Sequence, residues 1–144
     1  MDNLYRDFIL EHYREPHNRG VLDPADLRFA DANPTCGDEL SVTVRLDDGG
    51  HRVADVAFDG RGCAISQASA SIMSDDLRGR SLDELRAIDP RAVIADLGVP
   101  IGPARLKCAL LGYKVLLGAL SGTEVGWPEE SEVLGDASGG GSAP

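Results

Sequence analysis

The stretch from Leu40 to Phe58 limits the fold more than any other part of the chain. Leu40, Val42, Val44 and Leu46 alternate with Ser41, Thr43, Arg45 and Asp47. A period of two puts the apolar set on one face, the pattern of a half-buried strand. Asp47-Asp48-Gly49-Gly50 is a cluster of turn residues. A second, noisier alternation follows over Arg52–Phe58, with Ala54, Val56 and Phe58 on one face. The spacing predicts an antiparallel hairpin. A short strand at Leu27–Ala32 would widen it. A sheet with one apolar face must be covered, and the rest of the chain supplies helices.

Residues 3–14 carry Leu4, Tyr5, Phe8, Ile9 and Tyr13 on one half of a helical wheel, with Asp2 or Asn3 as cap. Pro16, Asn18 and Gly20 end this helix. His12 and His17 read as a polar helix face and a loop. Gly60-Arg61-Gly62-Cys63 is expected to break the second hairpin strand. A helix then runs from about Ala64 to Arg78, with Gly79 as its stop. Its serines, Ser66, Ser69, Ser71 and Ser74, suit close helix packing. Ser81-Leu82-Asp83-Glu84 is a capping box, and Asp89-Pro90 opens another helix ending near Gly98. The last helix spans roughly Ala104–Leu120, with Leu106, Leu110, Tyr113, Leu117 and Leu120 in one stripe. Helices segregated from strands point to an α+β fold, a small antiparallel sheet covered by helices on one face.

At 144 residues the chain suits one domain over 1–120, with a flexible acidic Gly/Ser-rich tail over 121–144 and Trp127 as the tail's only large apolar anchor. The formal net charge of −10 argues against nucleic acid and against an anionic membrane surface. No apolar run approaches the ~20 residues needed to span a bilayer. The N-terminus lacks a basic region followed by an apolar block, so a cytoplasmic location is expected. An acidic chain suits a partner with a complementary basic face.

The sequence has three cysteines, Cys36, Cys63 and Cys108, an odd number in a compartment where disulfides are rare. One reading makes them small buried hydrophobes. Their settings suggest another. Cys36 lies in Asn33-Pro34-Thr35-Cys36-Gly37-Asp38, a loop able to aim a thiol and a carboxylate at one point. Cys63 falls at a helix start, where the partial positive charge favours an anionic side chain. Cys108 lies about 200° from Leu106 on the last helix, off its main stripe and flanked by Arg105 and Lys107. Cys36, Asp38, Cys63 and Cys108 would together make a four-coordinate shell for Zn²⁺ or Fe²⁺, and three thiolates in one pocket could equally hold an iron–sulfur cluster. The carboxylate is the harder, more weakly held ligand; if Asp38 or one thiolate lets go, a nucleophilic sulfur suited to persulfide exchange is released.

These residues resemble the IscU/SufU family of iron–sulfur cluster assembly proteins. The resemblance rests on Leu4-Tyr5-Arg6 with His12-Tyr13 and Pro16, on the Cys36 loop, on Phe58-Asp59-Gly60-Arg61-Gly62-Cys63-Ala64-Ile65-Ser66 and on Pro103-Ala104-Arg105-Leu106-Lys107-Cys108-Ala109. Lys107, where scaffold-type members carry histidine, makes the chain look more like SufU. The 45 positions between Cys63 and Cys108 look more like the scaffold type. The resemblance implies zinc on Cys36, Asp38, Cys63 and Cys108. It implies that Cys36 accepts persulfide sulfur from a SufS-type cysteine desulfurase, as a sulfurtransferase feeding downstream iron–sulfur assembly proteins. It leaves open the alternative of a scaffold for a transient [2Fe–2S] cluster.

Overall fold

The alternating stretch forms two strands of a three-stranded antiparallel sheet. The computed structural model describes residues 2–35 and 37–134, except for the side chains of Asp2, Asn3 and Tyr5. Its elements are α1 (Asp2–Arg14), β1 (Leu27–Asn33), β2 (Asp38–Leu46), β3 (Val53–Arg61), α2 (Ala64–Ser74), α3 (Leu82–Arg86), α4 (Pro90–Asp96), α5 (Pro103–Ser121) and α6 (Glu130–Leu134). The sheet order is β1-β2-β3. Val42 lies opposite Phe29 on one side and Phe58 on the other, and Val44 lies between Leu27 and Val56. These rows make one apolar face. α5 crosses β1 and β2 on that face, α2 packs against β3 and α5, and α1 packs on α2. The fold is α+β with the helices on one face, as expected.

The segment between α1 and β1 pairs with the outer edge of β3 at Phe58 and then reaches the opposite face at Thr43. Phe58 donates its N–H to Asn18 O at 2.8 Å, Gly20 donates to Phe58 O at 2.9 Å, and Leu22 donates to Thr43 Oγ1 at 2.9 Å. Thr43, on the polar side of the alternation, is therefore buried. The turn between β2 and β3 is held by Asp47, whose carboxylate accepts the N–H groups of His51 and Arg52. Those bonds hold its pKa below the usual carboxylate value.

Four local expectations are corrected. Gly60 does not break β3, which continues to Arg61. Gly60 pairs with Leu40 at φ 138°, and a Cβ there would lie 2.1 Å from Glu39 O. It is the residue that allows two backbones to approach closely. α2 stops at Ser74, and 75–79 close as turns, because Asp75 N–H bonds to Ile72 O and Gly79 takes φ 85°. α5 is buried on nearly every side: Leu106, Leu110 and Tyr113 on one, Cys108, Leu111 and Val115 on another. A helix apolar all round sits in the centre of a fold, so Cys108 is not off the core. α1 buries Ile9 and His12, while Leu4, Phe8 and Tyr13 are 71%, 40% and 44% exposed. Periodicity shows which residues share a face, not whether anything lies against it.

The segment read as tail also differs. Gly122, at φ 78°, caps α5, and the chain then turns back along it. Trp127 packs against the core, its ring 5.4 Å from Lys107 Nζ and 5.1 Å from Lys114 Nζ, and Val133 of α6 is buried. Residues 135–144 lie outside the described residues. Among the described residues, no helix is long and apolar enough to cross a membrane.

Candidate metal centre

Asp38 and Cys63 come together because β2 and β3 pair in register. Asn33 and Asp38 are the last pair of the β1–β2 hairpin. Its turn is closed by Gly37 N–H bonded to Asn33 O at 2.8 Å and by Thr35 N–H bonded to Asn33 Oδ1 at 3.2 Å. Gly37 takes φ 79° there, open to glycine at little cost. Cys36, expected as the nucleophile, belongs to this loop by sequence and lies outside the described residues. Asp38 opens β2 and is 3% exposed. Across the sheet, β3 delivers the chain to Cys63, the N-cap of α2 in extended conformation.

The Asp38 carboxylate is gripped by Cys63 at both oxygens. Oδ1 accepts the Cys63 main-chain N–H at 3.0 Å, and Oδ2 lies 3.6 Å from Sγ. Ser66 Oγ stands 3.8 Å from the same sulfur and donates to Cys63 O at 3.1 Å. Cys108, buried in the second turn of α5, completes the group. One ligand atom each of Asp38, Cys63 and Cys108 lies within 4.8 Å of the others. A tetrahedral zinc ion with Zn–S of about 2.3 Å and Zn–O of about 2.1 Å separates its ligand atoms by roughly 3.6–3.8 Å. The 3.6 Å between Asp38 and Cys63 matches one edge of that tetrahedron. Two thiols and a carboxylate are also a donor set that suits zinc, so the residues present fit the ion.

Gly62 leaves room for this arrangement. A Cβ on it would lie 2.6 Å from Ser66 Oγ and 2.7 Å from Asp38 Oδ1. Neither Gly62 nor Ser66 stood out in the sequence as part of the site, although both belong to the Gly60–Ser66 motif that carried the resemblance. Lys107 and Arg105 are exposed beside Cys108. The Lys107 ammonium rests on the Trp127 ring. A cleft of about 330 Å³ runs from Asn33 and Thr35, next to the Cys36 position, past Leu106 and Lys107 to Trp127.

The sequence profile of the family described as NifU-like N terminal domain matches residues 4–124. The chain belongs to this family. The zinc-dependent sulfurtransferase SufU of Bacillus subtilis is 38% identical to it over 136 residues, covering 81% of this chain and 88% of its own. The iron–sulfur cluster assembly scaffold protein IscU of Streptococcus pyogenes is 34% identical over 137 residues, covering 83% and 84%. Among solved structures, FiSufU of the thermophile Fervidobacterium islandicum AW-1 superposes with a TM-score of 0.69 at 29% identity, covering 79% of this chain and 94% of its own. The NifU-like region contains the whole sheet, α2 to α5 and all three cysteines, whereas α6 follows it. Within it, Asp38, Cys63 and Cys108 are joined from three separate elements, as a metal centre assembled by folding requires.

Proposed function

We propose that this NifU-like chain is a zinc-dependent sulfur acceptor and carrier in iron–sulfur cluster assembly, working in the cytoplasm with a SufS-type cysteine desulfurase and downstream assembly proteins. The observation that carries this reading is the convergence of Asp38, Cys63 and Cys108 beside the Cys36 loop. Cys36, Asp38, Cys63 and Cys108 are its four ligands, and bound zinc would keep their sulfurs deprotonated. Asp38 is the ligand suited to exchange: it is the one hard donor, and its Oδ1 already accepts the Cys63 N–H. Transfer is thiol exchange. The Cys36 thiolate attacks the terminal sulfur of the donor's persulfide, a new S–S bond forms on Cys36, the donor's S–S bond breaks, and the donor leaves as thiolate. No external oxidant or reductant enters. The charge of −10 suits a donor with a basic docking face.

A second reading, a scaffold that holds a [2Fe–2S] cluster as cargo, is favoured by the likeness to the IscU scaffold protein. Against it stands Lys107, whose ammonium is a poor cluster ligand and lies over Trp127.

The test is metal and acid-labile sulfide content after anaerobic purification, followed by single-turnover sulfur transfer from a desulfurase. About one zinc per chain without sulfide, with transfer abolished by Cys36→Ala, is the expected result. Iron with matching sulfide selects the scaffold. A Cys36→Ala protein that takes up sulfur at the wild-type rate sinks the carrier reading.

A further inference from the structure

α2 carries a candidate ligand at each end. Cys63 is its N-cap and Asp75 its C-cap. They are twelve positions apart, about 18 Å along a helix axis, so whatever Asp75 does is remote from the cysteines. Around Asp75 stand two histidines. His12 comes from the last turn of α1, and His17 from the segment that follows Pro16. Their ring centroids are 4.4 Å apart, and His17 Nδ1 lies 2.7 Å from Asp75 Oδ2. One ligand atom each of His12, His17 and Asp75 falls within 4.8 Å of the others, the same convergence as in the cysteine cluster.

Other groups hold these side chains in place. Ser71, one helical turn before Asp75, has its Oγ 2.7 Å from His12 Nδ1, and the same oxygen accepts the His17 main-chain N–H at 2.7 Å. Asn18 donates Nδ2 to Ser74 Oγ at 2.9 Å and to Asp75 Oδ1 at 3.3 Å. Asn18 has φ 54°, the one positive value outside glycine among the described residues. A left-handed residue fastened to a candidate ligand is a backbone outlier at the cluster itself. Imidazoles oriented by hydrogen bonds from neighbouring groups are the usual arrangement at metal sites. The cluster is also reachable: His12 is buried, but the His17 and Asp75 side chains are 47% and 45% exposed. An ion arriving from water meets the carboxylate and one imidazole first, and the second imidazole lies behind them.

We infer that His12, His17 and Asp75 form a second metal site, for a first-row divalent cation, at the C-terminal end of α2. Two imidazoles and one carboxylate make a donor set without sulfur. It suits Fe²⁺ as well as Zn²⁺ and Co²⁺, and it leaves the remaining positions to water. Binding exchanges the His17–Asp75 hydrogen bond for a bond from each group to the ion. The site would hold an exchangeable cation, in contrast to the thiolate cluster.

The test uses the full chain with its cysteine cluster loaded with zinc, titrated with Co²⁺ and, anaerobically, with Fe²⁺. The expected result is one further equivalent of Co²⁺ per chain, with weak ligand-field bands and no sulfur-to-metal charge transfer. His17→Ala and Asp75→Ala, both at half-exposed positions, should remove that equivalent while circular dichroism shows the fold kept. Asn18→Ala should weaken it about tenfold. The inference is overturned if wild type takes up no further Co²⁺, if the added Co²⁺ shows sulfur charge transfer, or if His17→Ala and Asp75→Ala retain it. These readouts do not depend on sulfur transfer, so they stand apart from the carrier reading.

Discussion

Asp38 Oδ1 accepts the main-chain N–H of Cys63 at 3.0 Å, tying the first residue of β2 to the cap of α2. The carboxylate therefore has two separable roles, as acceptor for a helix N-terminus and as a charged ligand. Asp38→Ala removes both and leaves the part-buried Cys63 N–H without this acceptor, at a cost of about 1–3 kcal/mol. Asp38→Asn keeps an oxygen for that N–H but loses the charge. Urea unfolding of the metal-free proteins should place Asn near wild type and Ala well below it, while chelator competition shows both binding zinc more weakly. Equal stability for Asn and Ala would mean that the hydrogen bond contributes nothing.

Two glycines with different constraints should fail differently. Gly60→Ala drives a Cβ into the Glu39 carbonyl at a φ of 138°, and the obstacle is backbone. A loss of about 2 kcal/mol or more is expected from strain and overpacking. Gly62→Ala meets the side chains of Ser66 and Asp38 instead. It should cost less stability but displace Asp38, weakening zinc binding roughly tenfold or more, as when a group supporting a ligand is lost. Thermal melts and a zinc-chelator titration on both variants separate the two effects.

Lys114 is 2% exposed in the middle of α5 and is ion-paired with Asp31 of β1 and, at 3.3 Å, with Glu124. Lys114→Met strands Asp31 against the helix. A loss of about 2–4 kcal/mol is expected, since the cost of breaking such a pair lies mainly in the charge left behind. Adding Asp31→Asn should recover part of it. A double variant as unstable as Lys114→Met alone would place the loss in packing instead.

His12 sets a pH dependence. Burial, and next the neighbouring His17, hold its pKa below the ordinary 6.5, against the opposing pull of Asp75 and Glu11. The unfolded chain then binds a proton more readily than the folded one. Its contribution to stability is full above about pH 6.5 and is lost as pH falls through that value toward the folded-state pKa. Melting temperatures of metal-free protein between pH 8 and 5 should fall more steeply for wild type than for His12→Asn. Parallel curves would remove His12 as the cause.

The sheet and most helices were legible because their signals are local. The alternation over Leu40–Leu46, the capping box at Ser81 and the proline at the start of α4 each act within a few residues, and the structure shows all three. What was not legible depends on neighbours distant in sequence. His12 has the local context of a polar helix face, yet α2 brings Ser71 to it from 59 positions away. Cys108 looked peripheral by its angle from Leu106, because a wheel cannot tell that a helix is enclosed on more than one side. Leu4 and Phe8 share an apolar face that nothing among the described residues covers fully. At the candidate metal centre, residue types and motifs pointed to Asp38, Cys63 and Cys108 together, whereas the space that Gly62 must leave for them is visible only in three dimensions.

Trp127 is the only tryptophan in the chain, and its indole lies against Lys107, the residue next to Cys108. Near-ultraviolet emission excited at long wavelength therefore arises from a single fluorophore at the wall of the cleft that leads to the Cys36 loop. An ammonium group over an indole alters the energy of its excited state, so movement of Lys107 should shift the emission band. The chain thus contains an unlabelled optical reporter of rearrangement at the first turns of α5.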